Sequence, residues 1–128
     1  MQQLTFNGKV FSGKGTGKRF IDLLWVKQQI QSKLGFTPYS GTLNIHLTER
    51  SKEQRKFLDT VEGIIIEPKK GYYPGVLLKA KMQTLDCALI IPKTPHYPND
   101  VLEVISPLYL RGKFGLTDGS IVEVSVTF

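Results

Sequence analysis

Three glycines at alternate positions, Gly13, Gly15 and Gly17, are interleaved with Lys14, Thr16 and Lys18 and followed by Arg19. Such a segment can bring backbone N–H groups up against phosphate oxygens while the flanking cations supply the matching charge. It is similar to a Walker loop in outline. However, Gly13 stands one residue too close to the Gly17-Lys18 pair, and Arg19 occupies the place of the metal-binding Ser or Thr, which excludes a P-loop NTPase. Taken alone, the segment also fits a flexible basic hairpin loop. Further along, in Thr42-Leu43-Asn44-Ile45-His46-Leu47, strand alternation sends Thr42, Asn44 and His46 to one face and Leu43, Ile45 and Leu47 to the other. Two neutral oxygen ligands on one face suit Mg²⁺, which takes much of its coordination from water and substrate phosphates. Thr42 and Asn44 are therefore candidate metal ligands, the plain alternative being a solvated strand face. His46 is expected to be a surface or packing residue.

Strands must position these groups. Leu4 to Ser12 reads as a strand, with Asn7-Gly8 offering a turn or bulge inside it. From Arg19 or Phe20 to Lys33 the apolar residues Phe20, Leu23, Leu24, Val26, Ile30 and Leu34 follow helical spacing, and Gly35 is a natural stop. This is the main helix. Shorter helical turns are expected at Ser51 to Leu58 and around Pro107 to Phe114, ahead of Gly115. Thr42 to Leu47, Val61 to Glu67, Tyr72 to Met82, Leu85 to Pro92, Val101 to Ile105 and Ile121 to Phe128 read as strands between Gly, Pro and Asp turns. Many short strands and few helices point to a mainly β, closed or partly closed barrel, with no composition break to mark a second domain.

At 128 residues the chain is long enough to bury a core as one domain. With 41% hydrophobic and 22% charged residues it falls in the globular range, away from disordered and fibrous compositions. No run approaches the roughly 18 apolar residues of a membrane span, and the start has no signal layout, so a cytoplasmic protein with no membrane partner is expected. The single cysteine, Cys87, lies in an apolar run and is expected to be buried. A net charge of +6 favours an anionic partner, whether nucleic acid, nucleotide or phosphorylated metabolite.

Four ordered motifs narrow that choice. The Gly13 to Lys18 loop, Gly35-Phe36-Thr37-Pro38-Tyr39-Ser40-Gly41-Thr42-Leu43-Asn44, Leu102-Glu103-Val104-Ile105-Ser106-Pro107-Leu108-Tyr109-Leu110-Arg111 and the closing Phe114 to Val122 segment together resemble the archaeal CTP-dependent riboflavin kinases over nearly the whole chain. The resemblance implies a single domain over residues 1–128, a six-stranded cradle-loop (riboflavin-kinase-like) β-barrel with one main helix and short helical turns. It further implies that Gly13, Lys14, Gly15, Thr16, Gly17 and Lys18 hold nucleotide phosphates and that Leu108, Tyr109, Leu110 and Arg111 contribute to the cytidine nucleotide site. Thr42 and Asn44 would hold Mg²⁺, while Thr94 and Glu103 would contact the flavin. Where the family typically follows this threonine with an aromatic residue or histidine, Pro95 intervenes here.

The activity so implied is transfer of the γ-phosphate of CTP to the 5′-hydroxyl of riboflavin, giving FMN and CDP. Phosphoryl transfer asks the protein for positioning and charge neutralisation more than for covalent participation. Glu103 is the carboxylate available to orient the acceptor hydroxyl or take its proton, and a purely binding role fits it equally well. Tyr72, Tyr73, Tyr97 and Tyr109 are given no stacking role. The expected partners are riboflavin or FMN and CTP or CDP, and the expected state is a monomer. The alternative is a basic nucleic-acid-binding barrel, to which the Glu67 to Tyr73 loop lends basic and aromatic residues, though no recognisable nucleic-acid-binding signature accompanies it.

Overall fold

The computed structural model describes residues 2–128. Its strands are β1 (Gln3–Phe11), β2 (Leu43–Leu47), β3 (Ile64–Ile66), β4 (Gly75–Met82), β5 (Leu85–Pro92), β6 (Val101–Ile105) and β7 (Ile121–Thr127). Six of them form one antiparallel ring in the order β4-β5-β6-β2-β1-β7. The ring closes where Ala80 and Lys81 of β4 pair with Val126 and Ser125 of β7. β3 pairs with residues 75–77 of β4, beside that closure and outside the ring. The fold is thus the expected six-stranded barrel.

Alternation along the strands fills the ring. Phe6, Val10, Leu43, Ile45, Leu78, Leu89, Val104, Val124 and Val126 all point into one interior cluster. Cys87 belongs to it as expected, and burial pushes its thiol up to about 12, which keeps it inert at neutral pH. β4 and β5 carry unbroken buried runs because their outer face is covered as well. There Ile66, Leu77, Ala88, Ile90 and Ile105 meet Ile21, Val26 and Ile30 in a second cluster. Each such side chain contributes about 1.5–3 kcal/mol on burial.

The helices are α1 (Thr16–Ile21), α2 (Leu24–Leu34), α3 (Glu49–Leu58) and α4 (Leu110–Phe114). The single helix expected from Arg19 or Phe20 to Lys33 is therefore two. Leu23 is extended between them, and Asp22 closes α1 while accepting bonds from Lys18 Nζ (2.8 Å) and Ser40 Oγ (2.6 Å). The bend delivers Ile21 and Ile30 to the same outer cluster, which a straight helix would not do. α2 stops at Gly35 in the left-handed region (φ 83°), as expected. α3 starts two residues earlier than expected because Thr48 caps it, accepting from the Ser51 N–H at 3.2 Å. α4 supplies the turn expected before Gly115, without Pro107 to Tyr109.

Asn7-Gly8 makes neither turn nor bulge. The β1–β7 register runs without a break from Gln3↔Thr127 to Lys9↔Ile121. Gly8 passes so near β2 that a Cβ would overlap the His46 carbonyl oxygen, so the glycine serves close approach. β5 and β6 match their expected limits, and His46 stacks on Phe11 at 3.9 Å, a packing residue as expected. Among the described residues no helix is long and apolar enough to cross a membrane.

Candidate active site

β1 hands the chain to the glycine segment, which is half loop and half helix. Gly15 is left-handed (φ 85°) and precedes α1, so Thr16 to Arg19 are helical. The flanking glycines do something else. A Cβ on Gly13 would lie 2.7 Å from Asn44 Nδ2, and one on Gly17 would lie 2.5 Å from Glu103 Oε1 and 2.6 Å from Thr42 Oγ1. Both glycines therefore let the segment lie flat on the polar ends of β2 and β6. Above them is an open cavity of about 370 Å³ lined by residues 13–18, Thr42, Asn44, Glu103 and Arg111. Lys14 and Lys18 both border it. Lys18 is also the exposed partner of Asp22, a tie that contributes little in water.

The floor of this cavity is a line of hydrogen bonds. Asn44 and Glu103 are register partners across β2 and β6. Thr42 Oγ1 donates to Glu103 Oε1 at 2.9 Å and stands 3.4 Å from Asn44 Oδ1. The Tyr97 phenol donates to Glu103 Oε2. Burial first, and the Glu103 charge second, push the Tyr97 phenol far above its ordinary value, so it remains a donor throughout the working range.

The donor set fits a divalent cation that arrives with phosphate. Bonds of 2.0–2.1 Å in an octahedron place neighbouring ligand oxygens about 3 Å apart, near the separation of Thr42 Oγ1 and Asn44 Oδ1. The Thr42 proton is directed at Glu103, which leaves the hydroxyl lone pairs free. Among the described residues no cluster of three or more His, Cys, Asp or Glu could hold a metal by itself. A cation bound by this neutral pair would need further oxygens, of the kind that water and substrate phosphates supply to Mg²⁺.

A second cavity of about 740 Å³ lies beside the first. Phe20, Leu23, Tyr72, Tyr73, Ile90 and Pro92 give it apolar walls, and Thr94 borders it together with Tyr97 and Glu103. Trp25 braces those walls, its ring set edge-on to Phe20 (5.9 Å) and Tyr72 (5.2 Å). Thr94 and Glu103 thus border the same cavity despite Pro95. The apolar cavity and the glycine-lined cavity meet at Thr16, Gly17, Thr42, Tyr97 and Glu103.

A narrow cleft of about 60 Å³ runs between residues 39–43 and 108–111. Leu108 and Tyr109 are exposed, and Tyr109 stacks on Tyr39 at 5.0 Å. The Leu110 side chain is buried in the barrel core, so only its backbone is available to a ligand. Arg111 Nη2 donates to Asp118 Oδ1 (2.8 Å), Ser12 Oγ (3.3 Å) and the Phe11 carbonyl (3.3 Å). It ties this cleft to the root of the glycine segment.

Sequence reasoning placed the glycine segment, Thr42, Asn44, Thr94 and Glu103, and the structure brings all of them to one end of the barrel. It missed the parts played by Tyr97 and Asp118. Tyr97 carried no signal beyond its nearness to Thr94, and Asp118, next to Gly119, read as an ordinary turn residue.

Known proteins are similar to this chain over most of its length. The family model CTP-dep_RFKase, described as domain of unknown function DUF120, matches residues 10–126. A riboflavin kinase of Archaeoglobus fulgidus is 40% identical over 127 residues, covering 96% of this chain and 54% of the relative. One of Pyrobaculum aerophilum is 41% identical over 126 residues, covering 93% and 59%. The chain thus spans little more than half the length of these two relatives. Against a riboflavin kinase of Sulfurisphaera tokodaii it is 38% identical over 129 residues and covers 96% of this chain and 95% of the relative. Since the family match takes in every residue of the cavity junction, the chain belongs to the CTP-dependent riboflavin kinase (DUF120) family.

Proposed function

We propose that residues 1–128 form one riboflavin kinase domain that transfers the γ-phosphate of CTP to the ribityl 5′-hydroxyl, yielding FMN and CDP. The observation that carries this reading is the meeting of two unlike cavities at one carboxylate. An apolar, aromatic-walled cavity of about 740 Å³ suits a planar tricyclic ring, and a glycine-lined, lysine-flanked one suits a phosphate chain. A substrate in each would bring hydroxyl and phosphate together at Thr42 and Glu103.

The roles follow from position. Backbone amides of Gly13 to Gly17, with Lys14 and Lys18, bind the phosphates. Thr42 and Asn44 would hold Mg²⁺, which would supply charge neutralisation to the bound phosphates. Glu103, held at both oxygens by Thr42 and Tyr97, accepts the hydrogen bond of the ribityl hydroxyl and aligns it for in-line attack, taking the proton as the new P–O bond forms. Phe20, Leu23 and Tyr72 exclude water from the acceptor. Thr94 supplies a polar contact to the flavin. The cytidine preference is supported by the family name, and the cleft at Leu108 to Arg111 is where the resemblance would put the cytidine.

The test is riboflavin phosphorylation with Mg²⁺ and CTP, ATP, GTP or UTP in parallel, with FMN separated by chromatography. FMN formed chiefly from CTP is the expected result. FMN from ATP alone would keep the kinase and remove the donor, and no FMN from folded protein with any of the four would overturn the proposal.

A further inference from the structure

Glu103 sits where donor and acceptor meet, yet a glutamate is a flexible side chain and its strand fixes only the Cα. Thr42 holds one carboxylate oxygen, Oε1. The other is held from outside the sheet. The connection from β5 to β6 carries Thr94 to Asp100, and within it His96 adopts a left-handed φ of 61°. That reversal turns the next residue, Tyr97, inward, where its phenol meets Glu103 Oε2.

We propose that Tyr97 is the positioning residue of the phosphoryl-transfer site, donating its phenol proton to Glu103 Oε2 and so holding Oε1 toward Thr42 and the acceptor hydroxyl. This rests on the kinase reading above. Three observations carry it. Tyr97 borders both the apolar and the glycine-lined cavity, so its ring is part of the wall between them. Its hydroxyl reaches the one carboxylate that borders both. Its far side faces a third cavity, beside the buried guanidinium of Arg55 on α3. The other charged groups facing this junction are Arg19 from α1 in the apolar cavity and Lys14, Lys18 and Arg111 in the glycine-lined one. None of these replaces a donor to Oε2, because no hydrogen bond joins any of them to Glu103 among the described residues. With two fixed donors, the carboxylate presents its remaining lone pairs in one direction and needs no reorganisation when the hydroxyl arrives.

Tyr97→Phe removes the donor and keeps the ring, so the cavity wall survives. In the full chain, kcat should fall roughly tenfold to a hundredfold, the scale of an angstrom-level misplacement. KM for CTP should stay within about twofold, because the phosphate contacts are untouched. A general loss of packing would instead spread over both parameters. A second measurement does not depend on turnover. A phenol held to a part-buried carboxylate gives a downfield hydroxyl proton in the NMR spectrum, expected in the wild type, absent from Y97F and moved upfield in Glu103→Gln, whose amide oxygen is the weaker acceptor. Wild-type kcat in Y97F would overturn the proposal, and so would a hydroxyl resonance left unmoved in E103Q. If Y97F does not fold, the E103Q spectrum decides alone. Absence of FMN from the wild type would sink the kinase reading and, with it, the transfer role given to Tyr97, while the hydroxyl resonance would show whether the hydrogen bond itself had been read correctly.

Discussion

Gly17→Ala sets helix stability against site geometry. Gly17 lies inside α1, where alanine is favoured over glycine by about 1 kcal/mol. Its new methyl would nevertheless start 2.5 Å from Glu103 Oε1 and 2.6 Å from Thr42 Oγ1. Ordinary separations are about 3.5 Å, so the two oxygens must retreat by about 1 Å. That displacement breaks the 2.9 Å bond between them. A hydrogen bond to a charged group is worth about 1.5–3 kcal/mol. At 1.36 kcal/mol per decade this is a loss of roughly ten- to 160-fold in kcat/KM. The melting temperature should fall modestly, since the helix gain of about 1 kcal/mol offsets only part of the lost hydrogen bond. The assay is FMN formation over a riboflavin series at saturating CTP, paired with thermal melts. Gly35→Ala is the contrast: its left-handed φ of 83° and open surroundings predict a cost of about 1–2 kcal/mol in stability with kcat/KM unchanged. A G17A enzyme within about twofold of the wild type would refute the idea that Gly17 is present to let α1 touch Thr42 and Glu103.

Other substitutions probe separate parts. Asn44→Ala should raise the Mg²⁺ concentration needed for half-maximal rate at least about tenfold with little change in melting temperature, read from a metal titration at fixed CTP. Asp118→Asn should raise KM for CTP several-fold, because Arg111 loses the partner that steadies it on Phe11 and Ser12. Arg111 chiefly, and Ser12 next, hold the Asp118 carboxyl below its ordinary 3.8, so this tie is fully present above that pH and is lost as pH falls through the lowered folded value. The melting-temperature gap between wild type and D118N should therefore be constant above pH 3.8 and shrink below it, which melts across an acid series would read. Arg55 is 3% exposed, its Nε has no partner among the described residues, and Nη1 meets the half-exposed Asp59 at 3.0 Å. Arg55→Met should consequently be neutral or stabilising in denaturant melts, whereas Asp59→Ala, which leaves the guanidinium buried without that carboxylate, should cost about 1–3 kcal/mol.

Much of this was legible in the residues, and the exceptions share a cause. Strand alternation gave the barrel interior, because Leu43, Ile45, Val122, Val124 and Val126 obey a period of two. Helical spacing ran straight through the break at Asp22-Leu23, because the apolar residues on both sides pack into the same outer cluster. Periodicity missed the bend because Ile21, which a straight helix would set on the face opposite Ile30, was not part of the pattern it followed. The alternate glycines announced an unusual backbone while concealing a division of labour, Gly15 for its left-handed conformation and Gly13 and Gly17 for contact with β2 and β6. Tyr97 and Asp118 were silent because their partners, Glu103 and Arg111, are brought to them by the fold, and a lone tyrosine or a turn aspartate has no local pattern to announce it.

The seam that closes the ring also sets the order in which it can form on the ribosome. β1 emerges first, yet one of its two neighbours is β7, and the hydroxyls of Thr5 and Ser125, which meet at 3.3 Å, are 120 positions apart. β4 waits for the same strand at Ala80 and Lys81. Until residue 126 has cleared the exit tunnel, two strand edges stay open and the valines of β7 are missing from the interior. Only the β4–β5 hairpin and the sheet growing from it can be assembled earlier. A nascent chain halted before Ile121 should therefore be protease-sensitive and sticky, and closure should be a late, slow event of the kind that long-range β pairing imposes.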